Sequence, residues 1–285
     1  MPINDNVAAR PRAASGDTLT AVNAAELLAD AVRDAGKTAL AMERAGYRSW
    51  AKENQSPVSD VDLALDRELR ARLSAIAPNY GWLSEETADD PARLTRRRVW
   101  VVDPIDGTRA FIAGEPNWCV VAALVEDGRP IAGALYAPAS DELFVAAAGQ
   151  GARKNGAPIR ASERTRLDGA RVAGPRSGVE RLAKTCGITA LPRIHSLALR
   201  LARVASGELD AALAGAHSHD WDHATADILV REAGGILTGF DGASPFYNRA
   251  QPIHGALAAA GAALHPSLIA ALSGRAKQTI RSDIS

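Results

Sequence analysis

The sequence predicts a mixed protein, α+β in its first half and α/β in its second. Three observations carry this. Two early stretches repeat apolar residues at steps of three and four. Between residues 98 and 148, apolar runs are broken by turn residues at short intervals. Beyond residue 165, short apolar runs alternate with helical patterns. There is no internal repeat and no low-complexity tract.

Taken in order, residues 1–16 read as a mobile tail, with two prolines among small and polar residues. The first helix starts at an Asp17 cap. Val22, Ala25, Leu28, Val32, Ala35, Ala39 and Met42 share one face, and the pattern fades near Gly46. Residues 51–57 read as a loop. A second helix runs from Ser59 or Asp60, buries Val61, Leu65, Leu69, Leu73 and Ile76, and ends before Pro78 and Gly81. Arg98-Val-Trp-Val-Val102 is a strand leading into Asp103-Pro-Ile-Asp-Gly-Thr108. Two more strands, 117–126 and 130–137, meet at the hairpin signal Asp127-Gly128. Another covers 142–148, and Gly149-Gln-Gly-Ala-Arg-Lys-Asn-Gly156 is turn-rich. The first half is therefore two helices on a mostly antiparallel sheet. In the second half, strands are expected near 170–173, 209–214 and 235–240, and helices near 177–186, 196–206, 222–233 and 266–273. The organisation expected is an α+β subdomain over 17–165 with most of the candidate metal ligands, and an α/β subdomain over 166–285 with Asp222 and the substrate-side loops.

Composition narrows the function. At 285 residues and 29.8 kDa, the chain is long enough to bury a core without staples. Lys plus Arg is 33 and Asp plus Glu is 33, so no global field exists to hold a nucleic-acid polymer or an anionic membrane. Any anion site must be local. Cys119 and Cys186 form neither a disulfide framework nor a metal spacing, which fits a reducing cytoplasm. No apolar run reaches the roughly 18 residues of a membrane span. Asp5, Arg10 and Arg12 interrupt any signal-peptide core.

The informative residues are acids at changes of chain direction. Asp103 and Asp106 close a buried-looking strand, where Pro104 fixes φ and Gly107 permits an unusual turn. Two carboxylates drawn to one point repel unless a cation or proton lies between them. Hard oxygen ligands without nearby Cys favour Mg2+. The alternative is a plain turn in which Asp106 caps and Asp103 pairs with an arginine. Glu85 and Glu86 lie in Leu83-Ser84-Glu85-Glu86-Thr87, read as a loop, and Asp222 opens a helix, where an acid is often only an N-cap.

These motifs together resemble the inositol monophosphatase family of Mg2+-dependent, lithium-sensitive phosphomonoesterases. They are Ser56-Pro-Val-Ser-Asp-Val-Asp62, Glu85-Glu86, Asp103-Pro-Ile-Asp-Gly-Thr108 and Trp221-Asp222, with Gly149–Gly156 and Glu232-Ala-Gly-Gly235 as further landmarks. The resemblance covers roughly residues 20–270. It implies a layered αβαβα sandwich and two or three Mg2+ ions. Glu85, Asp103 and the Ile105 carbonyl would hold one ion; Asp103, Asp106 and Asp222 would hold a second, with Asp103 bridging. Glu85 would help a third. Thr108 and Asp62 would orient and deprotonate the attacking water, and the N–H groups of Gly107 and Thr108 would receive phosphate oxygens. A homodimer is also implied.

The substrate is expected to be a small phosphate monoester. Inositol-specific members usually carry Asp-Gly-Thr-Thr-Asn-Phe, whereas this chain has Asp106-Gly-Thr-Arg-Ala-Phe111. A basic residue after the Thr looks more like the 3′(2′),5′-bisphosphate nucleotidases or the histidinol-phosphate phosphatases. Inositol-binding members also tend to place an acid one loop before Trp-Asp, where Ala214-Gly-Ala-His-Ser-His219 has none. The reading leans to a bisphosphate nucleotidase. Inositol-1-monophosphatase, histidinol-phosphate phosphatase and a non-catalytic binding protein of the same fold are the alternatives. Arg109 either meets a second phosphate or faces solvent. Tyr247 either stacks on a base or is an ordinary core or surface tyrosine. His217, His219 and His223 read as loop residues or partners of Asp222 rather than a zinc site. Lys52, just before the Ser-Pro motif, either reaches the site or, by default, faces solvent; Arg96-Arg97-Arg98 reads as a solvated strand entry and Glu86 as a neighbour rather than a ligand.

Overall fold

Thr20 caps the first helix, α1 (Ala21–Ala45), by accepting a hydrogen bond from Asn23 N–H at 3.1 Å. The computed structural model describes residues 19–53 and 55–273. The Asp17 cap and the 1–16 tail lie outside the described residues. A short antiparallel hairpin follows, β1 (Ser49–Ala51) with β2 (Pro57–Ser59). Ser59 caps α2 (Asp60–Ile76) in a reciprocal box with Asp62. Next come β3 (Gly81–Ser84), β4 (Arg98–Asp106), the one-turn helix α3 (Thr108–Ile112), β5 (Cys119–Glu126), β6 (Arg129–Ala137), β7 (Glu142–Ala147), β8 (Ala152–Lys154) and β9 (Ala157–Ile159). Asp127 and Gly128, with φ of 47° and 76°, form the tight turn between β5 and β6. Strands β3 to β9 make one seven-stranded sheet in chain order, antiparallel except for the β3–β4 pair.

The rest of the chain is β10 (Arg171–Ala173), α4 (Arg176–Cys186), β11 (Thr189–Ala190), α5 (Leu197–Ala205), β12 (Ala211–Ala214), β13 (Ser218–His219), α6 (Asp220–Glu232), β14 (Gly235–Gly239), β15 (Ile253–His254), β16 (Leu257–Gly261) and α7 (His265–Leu272). A five-stranded sheet runs β11-β10-β12-β16-β14.

Three apolar clusters stack these elements into layers. Leu28, Val32, Leu65 and Leu69 of α1 and α2 pack on Val102, Val120 and Leu124 of the larger sheet. Its opposite face, with Val121, Leu135 and Phe144, meets Leu201, Val204, Ile228 and Leu229 of α5 and α6. Those two helices also bury Ala212 and Ala259 of the smaller sheet, whose far side packs against Val179 and Leu182 of α4 and Leu268 of α7. The result is the αβαβα sandwich expected. No described helix is long and apolar enough to cross a membrane.

Some expectations need correction. Val22 and Ile76 are 42% and 46% exposed. Both lie at helix ends, where the periodic face runs past the surface that covers it. The loop over 51–57 is narrower, because its ends pair as β1 and β2. Leu83 and Ser84, read as loop, belong to a strand, and the turn-rich 149–156 stretch contains β8. The interior strand β16, Leu-Ala-Ala-Ala-Gly, was not expected. It is buried along its length and Ala-rich, so it shows neither alternation nor β-branched residues.

Candidate active site

Residues three apart on a regular strand point to opposite faces. Asp103 and Asp106 escape this because β4 bulges between them. Asp103 is opposite Val121 and Asp106 opposite Cys119, so β4 spends one more residue than β5 over that step. Pro104 lies inside the bulge and has no N–H to give the ladder. Asp103 Oδ1 accepts the Ile105 N–H at 3.0 Å.

Asp106 is held by another helix. Its carboxylate accepts Ser196 Oγ–H at 2.5 Å, Ala198 N–H at 2.6 Å and Leu197 N–H at 3.2 Å, all at the start of α5. Asp222 accepts the His219 N–H at 2.6 Å and caps α6. Both acids therefore do the capping work that an ordinary helix start asks of them, while Asp103, Asp106 and Asp222 each offer an oxygen within 4.8 Å of the other two. Asp103 does not pair with an arginine among the described residues; the charges that act on it are those of Glu85, Asp106, Asp222 and Glu86.

Glu85 stands outside this trio, one residue past β3, but its charge is felt by Asp103 and Asp222. Its carboxylate lies 3.4 Å from Lys52 Nζ, and Lys52 is 2.6 Å from Glu86. The solvent-facing reading of Lys52 is thus overturned: the β1–β2 hairpin carries its ammonium onto two acids. Burial opposes the ammonium's charge, but Glu85 and Glu86 outweigh burial and hold its pKa up. Burial raises Glu86 to about 7 in spite of Lys52. Asp66 on α2 anchors this segment, accepting Ser84 Oγ–H and Thr87 Oγ1–H, both at 2.5 Å.

Asp62 in the first turn of α2 and Thr108 at the start of α3 meet directly. Asp62 Oδ2 accepts the Ser59 N–H at 2.8 Å, which leaves Oδ1 facing Thr108 Oγ1 at 3.2 Å. The same hydroxyl lies 3.0 Å from the Ile105 carbonyl, so its one proton has two acceptors. Gly107 precedes α3 with φ 97°, a conformation that favours glycine. Arg109, on α3, is exposed.

The donor set fits a hard divalent cation. Burial pushes the carboxyls of Asp103, Asp106 and Asp222 above the usual range, and the other acids push Asp103 and Asp222 further. Such a cluster tolerates its charge only with a counter-ion. Oxygen-only ligands favour Mg2+ over zinc. The histidines do not compete, since the trio is the one metal-competent group among the described residues. His223 Nε2 sits 2.6 Å from Ser218 Oγ, His219 stacks on Trp221, and His217 is exposed.

Tyr247 is fully buried, so it packs rather than stacking on a ligand. Arg97 and Arg98 pair with Glu126, and Arg98 also reaches Tyr80 Oη, while Arg96 and Arg97 stay exposed as a solvated strand entry requires. Sequence reasoning missed Ser196, Asp66 and Arg200. Ser196 carried a signal, a serine just before an apolar helical run. Arg200 carried another, a lone base in Leu197-Ala-Leu-Arg-Leu201.

Residues 14–276 match the model of the inositol monophosphatase family. The chain is 33% identical to a histidinol-phosphatase of Mycobacterium tuberculosis, over 78% of this chain and 86% of that protein. It is 32% identical to the 3′(2′),5′-bisphosphate nucleotidase CysQ of Aggregatibacter actinomycetemcomitans, over 65% and 73%. The crystal structure of extragenic suppressor protein suhB from Bartonella henselae superposes with TM-score 0.76 at 28% identity, covering 87% of this chain and 97% of that one.

Proposed function

This chain belongs to the inositol monophosphatase family and is a phosphatase, and from that premise we propose that it is a Mg2+-dependent phosphomonoesterase whose preferred substrate carries a second anionic group, as a 3′(2′),5′-bisphosphate nucleotide does. The observation that carries the reading is the convergence of Asp103, Asp106 and Asp222 beside the Asp62–Thr108 pair.

Asp103, Asp106 and Asp222 hold the ions, with Glu85 and the Ile105 carbonyl at the edge of the set. Two or three Mg2+ fit the number of acids. Bound Mg2+ supplies positive charge to the phosphoryl oxygens and makes water easier to deprotonate. Thr108 Oγ1 orients the water, and Asp62 Oδ1 receives its proton. The N–H groups of Gly107 and Thr108, at a helix start, receive phosphate oxygens. Arg109 receives the second anionic group. Histidinol phosphate bears an ammonium group, which an exposed arginine repels and which the acid-free 214–219 loop does not attract. The same loop lacks the acid that inositol-binding members of the family tend to place there. The free thiols of Cys119 and Cys186 support a cytoplasmic setting.

The test is phosphate release from 3′-phosphoadenosine 5′-phosphate, inositol 1-phosphate and histidinol phosphate, with and without Mg2+. The first substrate should be turned over with the highest kcat/KM, and chelation should abolish turnover. Activity that survives chelation would overturn the metal reading; preference for either other substrate would overturn the nucleotide reading alone.

A further inference from the structure

Arg200 is a buried cation beside the acids, and no ligand role has placed it there. It lies on α5, four residues after Ser196, so the two side chains share a helix face. Ser196 Oγ is the group that touches Asp106. Arg200 is 5% exposed, and its Nε has no hydrogen-bond partner. A guanidinium removed from water without a direct partner is costly unless nearby charge compensates it. That compensation is at hand: the negative charges of Asp106 and Asp222 both favour its charged form.

We propose that Arg200 is a built-in counter-charge of the metal site, sharing the field of Asp106 and Asp222 with the divalent ions and thereby limiting how tightly the site holds them. The inference rests on the metal reading above. It explains how a nearly dry acid cluster is tolerated before metal arrives, with Lys52 neutralising the Glu85–Glu86 side and Arg200 the Asp106–Asp222 side. It also accounts for an arginine on α5 that, unlike Arg203 with its Glu142 partner, is buried with its Nε unbonded. Burial pulls its pKa down to about 10, so it stays charged at neutral pH.

The expected effect has a sign that structural damage does not imitate. Loss of a positive charge near the acids tightens divalent binding, whereas a disordered site weakens it. Arg200→Met removes the charge together with the orphaned Nε, and Arg200→Lys keeps the charge. Calorimetric titration of Mg2+ into the full chain, at fixed ionic strength, should show R200M binding at least about fivefold more tightly than the parent. R200K should stay within about twofold. Unchanged or weaker binding by folded R200M would overturn the proposal, as would R200K behaving like R200M. If R200M does not fold, R200Q takes its place in the same comparison. An unchanged Mg2+ affinity with a raised KM would overturn it too, and would assign Arg200 to the substrate instead. If the parent itself takes up no Mg2+, the metal reading falls first, an outcome distinct from a parent that binds beside an unaltered variant.

Discussion

The Ser196 hydroxyl stands 2.5 Å from Oδ2 of Asp106 and joins the start of α5 to the end of β4. It also accepts the Leu199 N–H at 3.0 Å, so one atom caps a helix and fixes an acid. Ser196→Ala should therefore lower the stability of the metal-free protein by about 2 kcal/mol, the sum of a lost cap and a lost bond to a carboxylate. Urea denaturation measures this. Stability equal to the parent would mean that the Leu197 and Ala198 N–H groups suffice.

Asp103 touches both the trio and, through its charge, Glu85. Asp103→Asn should cut kcat by about a thousandfold or more, since several kcal/mol of charge stabilisation depend on it. The metal-free variant should be no less stable than the parent, because a repelling buried charge has gone. Near-normal turnover at saturating Mg2+ would reject the bridging role.

Thr108 lies between Asp62 and the Ile105 carbonyl. Thr108→Ala should lower turnover by about a hundredfold, the low end for general acid–base catalysis, while Mg2+ affinity changes little. Calorimetry set beside single-turnover kinetics separates the two effects. The reverse pattern would move Thr108 out of the water-orienting role.

Gly36 lies mid-helix in α1, where a Cβ would come 2.4 Å from Cδ1 of Tyr136 and 2.9 Å from Cγ of Pro138. The Tyr136 hydroxyl is tied to Asp141 at 2.9 Å, so the ring is not free to retreat. Alanine would gain about 1 kcal/mol of helix propensity but lose about 1–3 kcal/mol to overpacking. Gly36→Ala should thus be destabilising, and a raised thermal midpoint would show that the helix shifts to accommodate it.

Glu142 anchors β7 to α5 through Arg203 and also pairs with Lys154. Burial raises its pKa, but the bonds to Arg203, Lys154 and Ser140 overcome this and hold it at about 2, below the ordinary 4.5. A depressed carboxyl stabilises the fold above its unfolded pKa, and that contribution is lost as pH falls from about 4.5 to about 2. Glu142→Gln should be less stable than the parent at pH 7, with the gap closing across that acid window in pH-dependent denaturation. A constant gap would show that shape rather than charge carries the contact.

Much of the molecule is legible in its sequence. The periodic faces of α1 and α2 follow from residue spacing, and Asp127-Gly128 marks its turn by chemistry that only a left-handed pair accepts. The acids announced themselves by clustering at chain reversals. What escaped was set by partners distant in the chain. Strand β16 is made of alanines that gain a strand's identity only by lying between β12 and β14. Lys52 reads as solvent-facing because that is the default for a lysine, and Glu85 and Glu86, the acids that hold it, lie 33 and 34 residues further along the chain.

The sequence by itself determined the longer helices and strands, their order and the inventory of hard oxygen ligands, because local spacing and side-chain chemistry are properties of neighbours. Only the tertiary structure decided that Asp103 and Asp106 point the same way, that α5 and not α3 secures Asp106, and that Arg200 lies buried beside acids. Those are consequences of one bulged residue and of helices packed between two sheets, and side-chain direction and burial depend on what the rest of the fold brings alongside.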